Sequence, residues 1–304
     1  MNLPAGIVTR LTNFFDSYQK KANFLKTLSR KRQVDEVILL ACCYLDQLGG
    51  CLFPQAGSSK RSFERMLLTH SGESDEFSLI SVADLAADIL MMAETTSLIV
   101  SKPGRLELRS DNDKPLLKFI EQTGVSLTEK SIQKLLNSLY HGLKSNFKIH
   151  SKQTNRKISY GEDDIVISSI TKLGGKGAEI KEDNVRSLLR EYKYTSILYR
   201  EYRSKAVHEA KRIYVDSRKF WKMKRPYFIE VISELFTRSA LKLEFPAPFL
   251  IECLETCIEC TKRAIIGKRL LPPPIWHSIC NMGEFDFMDV EDLEESRPIG
   301  LKIE

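Results

Sequence analysis

The sequence has no apolar run long enough to cross a bilayer. The longest, Val37 to Leu45, spans nine residues and is flanked by Asp35, Glu36 and Asp46, about half of what a spanning helix requires. Residues Met1 to Lys20 interleave Arg10, Asn13 and Asp16 among their apolar positions, so the apolar core of a secretory signal is missing. A cytoplasmic protein without a membrane partner is therefore expected. Proline and glycine are sparse, 11 and 15 in 304 residues, which excludes collagen-like or low-complexity architecture. With 42% hydrophobic and 28% charged residues the chain has enough apolar surface to fold rather than remain disordered. Seven cysteines, two of them adjacent at Cys42 and Cys43, do not make a disulfide framework, so reduced thiols are expected. The net charge of +6, from 46 basic and 40 acidic residues, permits a nucleic-acid partner without requiring one.

Alternating β patterns are equally scarce, and apolar residues recur every three or four positions through most of the chain, which predicts an all-α fold. Val34 to Leu48 reads as a helix with acids in its first turn and Gly49 and Gly50 as its stop. Arg61 to Thr69, Val82 to Glu94, Lys114 to Thr123 and Thr128 to Lys144 read as further helices. The best strand signal is Ser97 to Arg109, where Leu98 to Val100 and Leu106 to Leu108 flank Pro103 and Gly104 as a small β-hairpin. Ser145 to Lys176 reads as a long loop insertion ending in Gly174-Gly175-Lys176-Gly177. Helical pattern resumes at Glu182 for about thirty residues, breaks at Pro226, and returns over Tyr227 to Leu241 and Pro248 to Ile266. Seven acidic residues without a basic one between Glu284 and Glu295 predict a solvated tail.

The charge is concentrated in one place. Between Arg186 and Arg225 thirteen Lys or Arg face four acids, a local surplus of nine that exceeds the surplus of the whole chain. Tyr192, Tyr194, Tyr199, Tyr202, Tyr214, Phe220 and Trp221 are interleaved with those charges. Cations that neutralise phosphates beside aromatic stacking faces suit single-stranded nucleic acid, whereas a solvated helix with buried tyrosines gives the same composition. Arg203 and His208 stand out within the segment, because they pair a permanent fork-shaped cation with an imidazole that titrates near neutral pH. Phosphodiester cleavage uses such a pair: the guanidinium holds the phosphate as charge develops, and the imidazole moves the proton.

The stretch Tyr199-Arg200-Glu201-Tyr202-Arg203-Ser204-Lys205-Ala206-Val207-His208-Glu209 resembles the signature of HEPN ribonucleases, an arginine followed after four to six residues by a histidine. More loosely, Leu40 to Gly50 (LACCYLDQLGG) resembles the early helix of larger HEPN members from defence loci. The resemblance implies a helical bundle, a homodimer in which two motifs form one composite metal-independent site, and a toxin, abortive-infection or antiviral setting with an antitoxin or defence-system partner protein. It implies no cofactor and no metal. Catalysis would fall to Arg203 and His208, and RNA binding to Arg200, Ser204, Lys205, Lys211 and Arg212. Ser204 only partly matches the polar position after the arginine. Ala210 stands where toxins silenced by a nucleotidyltransferase carry tyrosine, so control by tyrosine modification is not implied. On a regular helix five residues leave Arg203 and His208 about 140° apart, so either the helix is broken locally or a two-fold interface completes the site, and the two-fold interface is the expectation preferred. The expected organisation is a HEPN-like helical domain over 1–225, a helical extension packed on it over 226–283, and an acidic tail over 284–304. The alternative is a non-catalytic helical module that binds RNA or protein through the same basic face.

Three other motifs compete. Cys253, Cys257 and Cys260 copy the spacing of a radical iron–sulfur site but share one helical face, as a core stripe does. Cys257, Cys260, His277 and Cys280 approach structural zinc spacing, although Cys-Ile-Glu-Cys lacks a turn-forming glycine. The glycine-rich run around Lys176 has neither the preceding strand nor the following Ser or Thr of a phosphate loop. His70, His141 and His150 have no convergent partners in the pattern and receive no role.

Overall fold

Ile7, Leu11, Phe15, Tyr18, Ala22 and Leu25 recur at steps of three and four, and all six are buried on one side of α1 (Ala5–Arg30). The computed structural model describes residues 5–89, 115–123, 167–168, 170–172, 180–204, 223–232 and 239–267. Helical residues make up 80% of these, so the fold is helical in the main, with one two-stranded sheet among the described residues. No described helix is long and apolar enough to cross a membrane.

α2 (Val34–Leu52) opens with Asp35 and Glu36, whose charges favour the positive end of the helix dipole. It does not stop at its two glycines. A Cβ on Gly49 would lie 2.8 Å from the carbonyl oxygen of Ser62, so this glycine lets the backbone of α3 (Ser59–His70) come close. Close approach, rather than termination, is its purpose, and spacing alone does not distinguish the two. The Ser58 side chain caps α3 by accepting from the Arg61 N–H at 3.3 Å. The short α4 (Ser74–Phe77) follows. Residues 82–89 form α5, where Ser81 accepts from the Asp84 N–H at 3.3 Å and its hydroxyl donates to Asp84 Oδ2 at 2.5 Å. This arrangement resembles a capping box with aspartate at the third position. α6 (Pro115–Thr123) and helical residues at 167–168 and 170–171 pack with α5 and α7 (Glu182–Arg190) into a second apolar cluster. The segment read as a loop insertion therefore carries helix near its end. The expected hairpin at Ser97 to Arg109, the helix at 128–144, the rest of the loop and the acidic tail lie outside the described residues.

The thirty-residue helix expected from Glu182 is divided. α7 ends at Arg190, a turn follows, and Lys193 forms an isolated antiparallel bridge with Ile80. The backbone bonds Ser81 N–H to Tyr192 O (2.8 Å) and Tyr194 N–H to Leu79 O (2.9 Å) hold that turn against the start of α5. The chain then re-enters helix as α8 (Tyr194–Ile197), continued in π register over Leu198–Ser204.

The described parts of the helix expected over Tyr227 to Leu241, residues 227–232 and 239–241, are strand. They form an antiparallel two-stranded sheet, β1 (Tyr227–Ile232) with β2 (Ser239–Glu244), registered Tyr227 to Glu244 and Ile232 to Ser239. Tyr-Phe-Ile-Glu-Val-Ile, rich in aromatic and β-branched residues, favours the pleated strand over the helix that a three-four spacing also fits. The extension expected to be helical over 226–283 therefore opens with a sheet.

α9 (Ala247–Lys262), continued in π register over Arg263–Gly267, packs Phe249, Leu250, Cys253, Leu254, Cys257 and Ile258 into the first cluster with α1, α2 and α3. Burial of each large apolar side chain is worth roughly 1.5–3 kcal/mol. Cys253, Cys257 and Cys260 lie along this helix, and burial pushes the thiols of Cys253 and Cys257 well above their usual range. Those two act as core residues.

Candidate functional site

Arg203 is carried by the π-register turn that ends at Ser204. Tyr194, Ile197, Leu198 and Tyr202 bury one side of α8 and this turn in the core, which fixes the backbone from which Arg203 projects. In a π register the backbone bonds close over five residues. The 140° separation calculated for a regular α-helix runs from Arg203 to His208, and His208 lies outside the described residues.

Arg203 reaches Asp46 on α2. Nε donates to Asp46 Oδ2 at 2.9 Å and Nη2 lies 2.8 Å from the same oxygen, with side-chain exposures of 19% and 13%. The Tyr199 ring stands 5.5 Å from the guanidinium carbon and packs edge-on against Phe63 at 5.4 Å. Burial raises the Asp46 carboxyl above its usual range, and the Arg203 charge and hydrogen bond oppose that rise. Asp46 Oδ1 is buried and accepts no hydrogen bond. Cys43, on the same helix, is also raised by burial, against the pull of Arg203.

Arg200 faces elsewhere. Its Nε donates to Glu201 at 2.8 Å, its Nη1 donates to the Glu191 carbonyl at 2.9 Å, and its guanidinium carbon lies 5.6 Å from the centre of the Tyr192 ring. The structure thus does not bring Arg200 and Arg203 to one point. Ser204 is partly exposed at the end of the turn. His208, Lys205, Lys211 and Arg212 lie outside the described residues, as does Gly174 to Gly177. Among the described residues no three His, Cys, Asp or Glu side chains converge as a metal site would require; His277 and Cys280, the other half of the zinc spacing, lie outside them. His70 stacks on Phe53 at 5.9 Å, and burial lowers its imidazole below the usual range.

Beside Arg203 in the chain lies a second polar group that the sequence did not single out. Tyr202 is buried, and its hydroxyl donates to Glu244 Oε2 at 2.6 Å. Asp84, in the first turn of α5, also accepts from the Leu243 N–H at 3.1 Å. Burial pushes both carboxyls up to about 7. At Asp84 the bonds from Ser81 and Leu243 and the charge of Lys242 oppose the rise, and Asp88 adds to it. At Glu244 the bond from Tyr202 opposes it and Asp84 adds to it. These acids join β2 to both helical clusters.

No family model, curated protein or solved structure matches the chain.

The signal for Asp46 was present in the sequence. It is the one charge inside LACCYLDQLGG, four residues after the buried Cys42 and one after the buried Leu45. An acid on the edge of an apolar stripe requires a partner, but the sequence does not say that the partner is 157 residues away. Asp84 and Glu244 gave less warning, since acids at helix starts and strand ends are commonplace.

Proposed function

We propose that the chain is a metal-independent endoribonuclease of the HEPN type, acting on RNA as a toxin or antiviral effector. Arg203 holds the scissile phosphate and His208 is the acid/base. The RNA 2′-oxygen bonds to phosphorus as the bond to the 5′-oxygen breaks; the proton leaves the 2′-hydroxyl for imidazole, and a proton is returned to the departing 5′-oxygen. The products are a 2′,3′-cyclic phosphate and a 5′-hydroxyl. Arg200, Ser204, Lys205, Lys211 and Arg212 complete the RNA-binding assignment, with a homodimer as the working unit and a defence-system partner as its control.

The observation that carries this reading is the setting of Arg203. The motif's arginine is gripped side-on by an acid from α2, far away in the chain, and it sits on a π turn of the kind often found at functional sites. A guanidinium whose rotamers are already restricted loses less freedom when it binds a phosphate.

The test is cleavage of a single-stranded RNA and of its 2′-deoxy counterpart by the purified chain. RNA should be cut and the deoxy strand left intact, whereas equal cutting of both rules out attack by the 2′-hydroxyl. Loss of an acid/base group removes roughly 10²- to 10⁴-fold in rate, so His208→Ala should abolish turnover and retain binding.

A second reading, a non-catalytic helical module that binds RNA or protein, is favoured by the inward engagement of Arg200 with Tyr192 and the Glu191 carbonyl. Under it, His208→Ala changes neither binding nor any other property of the chain.

A further inference from the structure

A buried ion pair repays the desolvation of its charges only when further hydrogen bonds satisfy the remaining lone pairs. The Asp46–Arg203 pair is half-buried, and on its carboxylate side it does not meet that condition. Nε and Nη2 both engage Oδ2, while Oδ1 is out of contact with solvent and accepts nothing. The same pair is poorly placed as a brace between helices. Tyr202 and Leu198 already bury the π turn in the core, and α2 is held by Val37, Ile38, Ala41, Cys42 and Leu45. Leaving a buried carboxylate oxygen orphaned is a cost that natural structures usually avoid, and each such case calls for an explanation.

What the arrangement does provide is orientation. One oxygen sitting between Nε and Nη2 fixes the plane of the guanidinium and its rotation about the long side chain, two degrees of freedom that packing alone leaves open. The Tyr199 ring, 5.5 Å from the guanidinium carbon and braced by Phe63, supports the same orientation.

We infer that Asp46 is a positioning residue for Arg203: it acts through the guanidinium, touches neither RNA nor the reacting atoms, and sets the plane in which the phosphate is held. This rests on the ribonuclease reading and adds to it a residue from α2.

Steady-state cleavage of a labelled single-stranded RNA by the full chain tests it, with kcat and KM measured separately and thermal melting followed in parallel. Asp46→Asn keeps the shape but removes the charge, and Asp46→Glu keeps the charge but moves it by one methylene. Misplacing a catalytic group by about 1 Å costs on the order of 10²-fold in rate, so kcat should fall about a hundredfold in both, with KM within about threefold of the parent and melting within a few degrees.

The exchanged pair Asp46→Arg with Arg203→Asp separates a positioning role from a structural one. It should melt within a few degrees of the parent, because the ion pair is kept with its ends exchanged, and leave cleavage absent. If the exchange restores cleavage as well, or if both single variants keep kcat within about twofold while Arg203→Ala loses it, Asp46 does not position Arg203 and the ribonuclease reading stands. If Arg203→Ala cleaves at the parent rate, or the parent chain does not cleave RNA, that reading fails and the positioning role falls with it.

Discussion

Raising the pH from about 4 to about 8 should loosen the junction between β2, α5 and the π turn, because Asp84 and Glu244 are buried there and keep their protons in the folded state up to about 7. In the unfolded chain both ionise near ordinary carboxylate values, 3.8 and 4.5. The folded state therefore binds more protons across this interval, and stability must fall as pH rises through it. The contribution is fully present below about pH 4, is lost progressively up to about 7, and changes little beyond. A tenfold change in proton affinity corresponds to about 1.36 kcal/mol, so the rise at Asp84 from 3.8 to about 7 is worth about 4 kcal/mol. Burial is the largest cause of the rise at Glu244 and the charge of Asp84 a smaller one, so the two add only in part, and we expect a loss of at least about 4 kcal/mol for the pair. That is a large share of the roughly 5–15 kcal/mol that holds a domain together. The surroundings do not cancel it: Lys242 is the cation that opposes the rise, against Asp88 beside Asp84 and Asp35 beside Glu244, while Tyr192, Tyr194 and Tyr202 remain neutral. Urea unfolding of the parent chain, Asp84→Asn and Glu244→Gln at several pH values reads the effect. The amides imitate the protonated acids, so each variant should gain stability relative to the parent as pH rises from about 4 to 8. A difference between variant and parent that stays constant over that range would refute the assignment of retained protons to these two groups.

The adjacent glycines of α2 should respond in opposite directions: Gly49→Ala should lower the melting temperature because its methyl would meet the Ser62 carbonyl at 2.8 Å, whereas Gly50→Ala, with nothing within 4 Å, should raise stability by about 0.5–1 kcal/mol. Tyr202→Phe removes the donor to Glu244 and should cost about 1–3 kcal/mol in chemical denaturation, a loss that Glu244→Gln in the same chain should not deepen. Cys257→Ser places a hydroxyl in a fully buried position of α9 and should cost about 1–3 kcal/mol by the same assay, and it should not change the metal content of the purified protein.

Part of the helical framework was legible in the sequence, because the stripes of α2 and α9 follow from spacing; α1 has the same spacing but is not among the helices expected from it. Val34 and Pro248 mark near-correct starts for two of them. The errors came where local pattern is ambiguous. Tyr227 to Ile232 satisfies both a three-four and a two-residue period in part, and only pairing with Ser239 to Glu244 decides between them. Gly49 and Gly50 fit a helix stop, and the close approach of α3 is what retains Gly49 within the helix. At the candidate site, Arg203 was reached from its motif, yet Asp46 is separated from it by half the chain. Partners brought together by tertiary packing leave no periodic trace, so the orphaned Oδ1 of Asp46 and the grip of its Oδ2 on the guanidinium became visible only in three dimensions.

The seating of α9 against α1 and α2 also orders events during synthesis. Leu11, Phe15, Tyr18 and Leu25 on α1 share a core in the finished fold with a helix that begins at Ala247, and polar contacts from Gln19 and Lys26 to Glu255 and from Lys262 to Asp16 close over that seam. α2 covers part of the apolar side of α1 early, but the part that α9 seats against stays uncovered in a nascent chain until more than two hundred further residues have emerged. Ribosome-bound fragments that end before Ala247 should recruit holding chaperones, and release should coincide with the emergence of α9.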